Sequence, residues 1–360
     1  MPELVLTRAT TYEYMGYSFV RGKVKEVPMI VYQDGIRKGW AKDPNQHIDF
    51  VDGPMVRAAR PGTTVPVMRD CGLGDVLMAS IPLRDFCYRN KHVNVVYGVS
   101  PQYVGLFEGL SFCKVAPIPE IRGSFQFGVD LRGFVERDKK ARKQDRIDIF
   151  SRALNNAPPT SYDFPLQITA EHRDHGRHYL GASRDDRPVL GLVMRASLAN
   201  RSWGIDYLQA TYRLADSNGW RVILIDGRER RSPSDPPWRD FFPATAIDLC
   251  GKLSMTDLRD VVAACDCILS PDTGLVHLAE AVGTKCVAYF TTVPPELRVG
   301  HYRHVKVLYP RGQLPCLGCM HSPTCGQPDP KPCAVLSTPQ MAWDAIEAHC
   351  DHTADVCGVL

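Results

Sequence analysis

No run in this chain approaches the roughly 20 apolar residues that a helix needs to span a bilayer. The start, Met1-Pro2-Glu3-Leu4, lacks the basic residues and long apolar core of a secretory leader, so a cytoplasmic chain is expected. A surplus of one charge is also missing. Lys and Arg number 43 against 40 Asp and Glu, and a net +3 does not by itself imply nucleic acid. There is no repeat of solenoid period and no low-complexity tract. The glycine-rich turn Asp70-Cys71-Gly72-Leu73-Gly74-Asp75 completes neither G-x-G-x-x-G nor G-x-x-x-x-G-K-[ST], which argues against a nicotinamide enzyme and a P-loop ATPase.

Cysteine, by contrast, is plentiful: 13 residues, an odd number, mostly placed singly in apparent strands and helices. In a cytoplasmic chain such residues are reduced, small core side chains. Four differ. Cys316, Cys319, Cys325 and Cys333 fall within eighteen residues of a Pro- and Gly-rich loop that is poor in apolar side chains. C-x-x-C with two further Cys reads as a tetrahedral structural metal site, zinc by default, with His321 as a substitute ligand. Reduced thiols and disulfides are the plainer readings.

At 360 residues with 44% apolar and 23% charged residues, the chain suits two domains with well-formed cores. Residues 1–62 read as a small β-rich extension. In it Tyr12, Tyr14, Tyr17, Phe19 and Val20 are broken by Gly16 and Gly22, with polar turn signals after residue 33. From 63 to 182 strand and helix alternate, with strands expected near 64–69, 93–97, 113–116 and 126–131 and helices near 75–89, 101–109 and 144–155. The alternation restarts over 183–336, with strands near 189–194, 221–225, 267–269 and 286–290 and helices near 204–218 and 258–264. A C-terminal helix and tail occupy 337–360. Repeated βα units imply α/β domains with parallel sheets and helices on both faces.

Two segments carry the functional signal. Cys267-Ile268-Leu269 is a short strand, followed by Ser270-Pro271-Asp272-Thr273-Gly274 and a helix through Gly283. Asp272 or Thr273 can cap that helix, and Gly274 admits a close ligand. The free amides and positive dipole end suit a diphosphate. The plainer reading is an ordinary capped helix. In the first half, Thr64–Arg69 reads as a strand whose following turn places the carboxylate of Asp75 where ligands bind in open α/β sheets.

Together, Gly72-Leu73-Gly74-Asp75 and Asp272-Thr273-Gly274-Leu275-Val276-His277-Leu278-Ala279 resemble the bacterial heptosyltransferases, glycosyltransferase family nine. Val129-Asp130-Leu131-Arg132-Gly133 and Asp248-Leu249-Cys250-Gly251-Lys252-Leu253-Ser254 extend the likeness over about residues 63–348. The resemblance implies a GT-B fold: two Rossmann-like domains facing a central cleft. It also implies inverting transfer from a nucleotide sugar, an ADP-heptose-like donor, with no metal in the chemistry. Three features depart from the family pattern. The segment 1–62 is an addition, Arg201 stands where the family has a lysine ahead of a tryptophan, and the cysteine cluster occurs in only some relatives, certain of which hold iron.

The same resemblance assigns roles. Asp75 matches the family's general base, against the plainer role of helix cap. Arg201 becomes a diphosphate clamp, able to make bidentate bonds, against a surface arginine ahead of packed Trp203. Amides of Thr273 and Gly274 would share the leaving-group charge, and Asp272 would bond sugar hydroxyls or fix the loop. His277 faces sugar or phosphate, or is a satisfied core histidine. Glu229 carries over as a nucleoside contact. Arg132, Lys139 and Lys140, within a basic run, suit an anionic acceptor such as lipopolysaccharide core, or form a solvated face. A hydroxymethylated base in viral DNA and a protein side chain are the alternative acceptors. A sugar-nucleotide or nucleic-acid binding protein without catalysis is the alternative of a different class.

Overall fold

The structure is a computed structural model. It describes residues 3–6, 11–14, 17–20, 24–26, 41–42, 49–70, 72–121, 125, 127–138, 141–181, 186–229, 232, 234–320, 325–327 and 331–350. By chain contacts it divides into two compact units, residues 1–71 with 78–162, and residues 72–77 with 163–360.

The first unit contains a five-stranded parallel sheet in the order Asp49–Phe50, Phe127–Asp130, Thr64–Met68, Asn94–Val99, Lys114–Pro117. Its central strands are continuous apolar runs, as sheets covered on both faces require: Val65, Val67 and Met68 are buried, as are Val95, Val96, Tyr97 and Val99. The end of the N-terminal extension is stitched into this sheet through Asp49–Phe50. The following turn Gly53–Ala58 packs so closely on the helix Arg146–Asn155 that a side chain on Gly53 would strike the Leu154 backbone. Earlier in the extension, Thr11–Tyr14 pairs antiparallel with Tyr17–Val20, and Glu3–Leu6 with both Val24–Glu26 and Ala41–Lys42.

The second unit holds a six-stranded, all-parallel sheet ordered Ile247–Asp248, Arg221–Ile225, Val189–Val193, Cys267–Pro271, Lys285–Tyr289, Val305–Leu308. Numbered along the chain these strands run 3-2-1-4-5-6, the order of doubly wound nucleotide-binding sheets. The order reverses between Val189–Val193 and Cys267–Pro271, and ligands bind beyond the carboxyl ends of strands at such a point. The single Cys residues of this sheet behave as core side chains: Cys265, Cys267 and Cys286 are buried, and burial pushes the Cys265 and Cys286 thiols well up.

Residues 163–181, expected with the first domain, pack in the second unit. The helix Ala170–Tyr179 lies on Met255–Ala264. His175 Nδ1 is 2.8 Å from the Asp260 carboxylate, and Arg173 donates to the Ala263 and Val282 carbonyls. Among the described residues, no helix is long and apolar enough to cross a membrane.

Candidate active site

The site is built at the switch point of the second sheet. The strand Cys267–Pro271 is wholly buried and delivers Asp272 and Thr273 to its carboxyl end. Thr273 caps the helix Gly274–Val282, its hydroxyl accepting from Leu275 N–H at 3.2 Å and lying 3.1 Å from Ser270 Oγ. The Thr273 carbonyl also accepts from Val276 N–H at 3.2 Å, at the positive end of the helix dipole.

Arg201 comes to the same point from the neighbouring strand. Its loop is braced on every side. Ala196 N–H donates to Ser202 Oγ at 2.8 Å, and Thr291 Oγ1 donates to the Asn200 carbonyl at 3.0 Å. Trp203 stacks on Tyr289 with centroids 4.2 Å apart and donates through Nε1 to the Ala334 carbonyl. From this anchored loop Arg201 Nη1 donates to Asp272 Oδ2 at 3.2 Å and Nη2 to Ser197 Oγ at 2.6 Å. Its Nε is buried and meets no acceptor among the described residues. The Asp272 carboxylate is buried and paired with Arg201.

The turn Gly72–Leu77 groups with this unit, and its Leu73 and Gly74 pack on the Thr273 helix. A Cβ on Gly274 would fall 2.7 Å from Leu73 Cβ, so the close approach expected of Gly274 is made to the protein's own chain. Asp75 is half-buried in the first turn of the helix Leu73–Arg89, its Oδ2 lying back over Gly72. From that third helical position a carboxylate can serve the helix start as well as a substrate. His277 is 4% exposed, with Nδ1 2.6 Å from the Tyr302 hydroxyl and its Cδ2–Nε2 edge against Gly74.

Beside Ser197 opens a cavity of about 700 Å³, lined by Trp203, Trp238, Phe241 and Arg195 among others. Arg195 is ion-paired with Asp226 at 2.9 Å, and burial holds the Asp226 carboxyl above its ordinary range despite that cation. Trp238 Nε1 is buried and meets no acceptor among the described residues. Sequence reasoning did not single out Trp238 or Tyr302. Tyr302 is a single aromatic in a polar loop, and Trp238 stands before Phe241 and Phe242 in a short Pro-rich segment with no strand or helix period to mark it.

Glu229 is exposed in the loop after Arg221–Ile225. Arg132 is 3% exposed and bound twice by Asp130, Nε to Oδ1 at 2.8 Å and Nη2 to Oδ2 at 3.1 Å, so its charge is matched within the chain. Lys139, Lys140 and His321 lie outside the described residues. Cys316, Cys319, Cys325 and Cys333 all line one cavity of about 160 Å³. Burial first, then the neighbouring Cys325, Cys316 and Cys319, pushes the Cys333 thiol up. Among the described residues, no three His, Cys, Asp or Glu are arranged to hold a metal ion.

The family model for glycosyltransferase family 9 (heptosyltransferase) matches residues 138–325. The chain belongs to glycosyltransferase family 9. Glycosyltransferase is the enzyme class which that membership gives it. The chain is 24% identical over 119 residues to lipooligosaccharide heptosyltransferase 2 of Haemophilus influenzae, 31% of this chain and 33% of the relative. The match therefore spans about a third of that relative's length. Among solved structures, Escherichia coli ADP-heptose lipopolysaccharide heptosyltransferase II superposes with a TM-score of 0.62 at 14% identity, over 80% of this chain and 98% of that one. The iron-containing dodecameric glycosyltransferase TibC of enterotoxigenic E. coli gives 0.62 at 15%, over 81% and 76%. The family member's fold is that of these GT-B heptosyltransferases.

Proposed function

We propose that this family 9 protein transfers a heptose-like sugar, with inversion, from an ADP-linked donor to a hydroxyl of an anionic acceptor such as lipopolysaccharide core. One observation carries the reading. At the switch point, Arg201 is held by Asp272 and Ser197 beside the Thr273 helix start. A guanidinium whose two Nη groups each carry a second N–H beyond these bonds, beside the positive end of a helix, is chemistry for phosphate oxygens. TibC was solved in complex with ADP-D-β-D-heptose, which supports the choice of donor. The cavity beside Ser197 offers the rest of the donor an apolar, aromatic lining of suitable size.

The chemistry runs as follows. The Asp75 carboxylate takes the acceptor hydroxyl proton as the oxygen attacks the anomeric carbon. The bond from that carbon to the diphosphate breaks on the opposite face. Arg201 and the first amides of the Thr273 helix receive the leaving-group charge, in place before the reaction begins. Glu229 is assigned to the nucleoside and His277 to the donor side of the site. The basic residues Lys139 and Lys140 are assigned to the acceptor; Arg132, matched by Asp130, acts only through the local fold. The cytoplasmic setting expected from the sequence goes with this reading.

The four-cysteine loop is assigned a structural role. Its donor set, four thiols on one cavity, suits a thiophilic ion, zinc or iron. Their present spacing does not close around an ion, and no step of the transfer passes through it.

The test is turnover with a panel of nucleotide sugars, using lipopolysaccharide core, hydroxymethylated duplex DNA and protein as acceptors. ADP-heptose with lipopolysaccharide core is the expected pair. Asp75→Ala lowers its turnover by about 10²–10⁴-fold while ADP still raises the melting temperature. An Asp75→Ala protein as active as the parent sinks the mechanism.

A further inference from the structure

We propose that Tyr302 is a positioning residue for the transfer: its hydroxyl fixes His277 as the Nε2–H tautomer and holds that ring edge against the turn bearing Asp75. The proposal rests on the glycosyl-transfer reading above.

The contact is short and enclosed. The Tyr302 hydroxyl lies 2.6 Å from His277 Nδ1, and the two rings meet edge-on at 5.6 Å and 87°. His277 is 4% exposed, so water does not compete for its ring nitrogens freely. On its far side Tyr302 meets Phe164 edge-on at 5.5 Å.

The loop carrying Tyr302 is itself fastened to the helix that carries His277. Glu280, three residues on in that helix, accepts from Arg303 N–H at 2.9 Å and from His304 N–H at 2.8 Å. Tyr302 N–H donates to the Val299 carbonyl at 3.0 Å. Two points on one helix, His277 and Glu280, thus set the place of the hydroxyl.

A neutral imidazole carries one N–H and one bare nitrogen, and the partner at one nitrogen decides the state of the other. A phenol is a far better proton donor than a neutral imidazole N–H, so at 2.6 Å the tyrosine donates and Nδ1 accepts. The remaining proton sits on Nε2. That nitrogen lies on the ring edge toward Gly74: a Cβ placed on Gly74 would be 3.0 Å from it. An N–H there faces the turn that bears a carboxylate and the helix start assigned to the diphosphate, where a donor is favoured and a bare lone pair is not.

Tyr302→Phe keeps the ring contacts and removes the hydroxyl. The expected result is a fall in kcat of about 10–100-fold with donor KM changed less than about threefold, as for loss of an orienting partner. In ¹⁵N-histidine spectra the parent shows a bare Nδ1 and a protonated Nε2, and the variant shows a mixture. His277→Gln supplies the second arm, because a glutamine nitrogen can stand where Nε2 stands. In that background Tyr302→Phe costs less than about twofold. The proposal is overturned if the parent spectrum shows Nδ1 protonated, if Tyr302→Phe leaves spectrum and kcat unchanged, or if it costs as much in the His277→Gln background. Failure of the transfer reading is recognised separately, from Asp75→Ala, and without touching Tyr302.

Discussion

Gly74→Ala tests the packing that joins the Asp75 turn to the Thr273 helix. The new Cβ would stand 3.0 Å from His277 Nε2 and 3.3 Å from Cγ, with Cδ2 closer still. Comfortable carbon contacts begin near 3.5 Å, so the ring must retreat by roughly 1 Å. It cannot do so freely. A 1 Å retreat drives Nδ1, across the ring from that edge, into the Tyr302 hydroxyl already 2.6 Å away, so the ring must turn aside and give up that bond. Overpacking of this kind costs about 1–3 kcal/mol and the lost bond about 1 kcal/mol. Alanine in place of glycine in the first turn of a helix returns up to about 1 kcal/mol. The balance is a loss of about 1–3 kcal/mol, read as a lower urea midpoint at unchanged slope. A displacement of that size beside the reacting groups lowers kcat by about 100-fold. The decisive measurement adds His277→Ala. With the ring gone, Gly74→Ala meets no clash and only the helix gain remains, so its effect on stability changes sign. If Gly74→Ala is equally harmful with His277 truncated, the packing argument is refuted.

The remaining predictions concern charge and capping. Arg201→Lys keeps the cation but cannot hold Asp272, Ser197 and a phosphate oxygen together; ADP affinity measured by calorimetry falls about 10-fold or more, while a melting temperature unaffected by ADP in the parent protein would remove the basis of this prediction. Asp257 receives hydrogen bonds from the Ser254 hydroxyl and N–H, which hold its carboxyl below the ordinary 3.8 although burial opposes them. Its folded value lies under its unfolded value, so its contribution is present above the unfolded value and lost as pH falls through the folded one; the melting-temperature gap between the parent and Asp257→Asn narrows between pH 5 and the acid limit, roughly as linkage requires. The Cys333 thiol, pushed up by burial and by its three cysteine neighbours, is mostly protonated at neutral pH. Added Zn²⁺ releases protons and protects the four cysteines from alkylation, and equal alkylation rates with and without zinc or iron would end the structural-metal assignment.

The sequence made the sheets legible where burial imposes continuous apolar runs. The strand readings near 64–69, 189–194, 221–225 and 286–290 meet observed strands within a residue or two. The helix Ala170–Tyr179 escaped because its packing is polar. It reads AEHRDHGRHY, has no apolar stripe, and is held by His175 on Asp260 and Arg173 on backbone carbonyls. The two-residue strand Ile247–Asp248 is too short to show a period. In the site, the Thr273 cap and its helix follow from local residues, but the Arg201–Asp272 pair joins positions 71 apart and no local pattern announces it. Arg132 was open to a better reading: Asp130 two residues earlier is its partner, and counting charges along a run conceals such a pair. Tyr302 left no trace because a tyrosine in a polar loop is ordinary until the fold brings it to a histidine.

The arginine at 201 and its surroundings make sense only together. A lysine ammonium is a point charge and can serve a phosphate with few orienting contacts. A guanidinium must be aimed in a plane, and here two of its nitrogens are held by Asp272 and Ser197, which fix that plane. The buried carboxylate of Asp272 would repel a diphosphate if it stood alone at the helix start. Paired with Arg201 at 3.2 Å, that repulsion is largely cancelled and the carboxylate serves as an aiming device. It follows that Asp272→Asn, which keeps the hydrogen-bonding shape and removes the charge, leaves Arg201 less firmly held but more positive in its field. Its effect on ADP binding is therefore small, whereas Asp272→Ala, which also removes the aim, weakens binding as Arg201→Lys does.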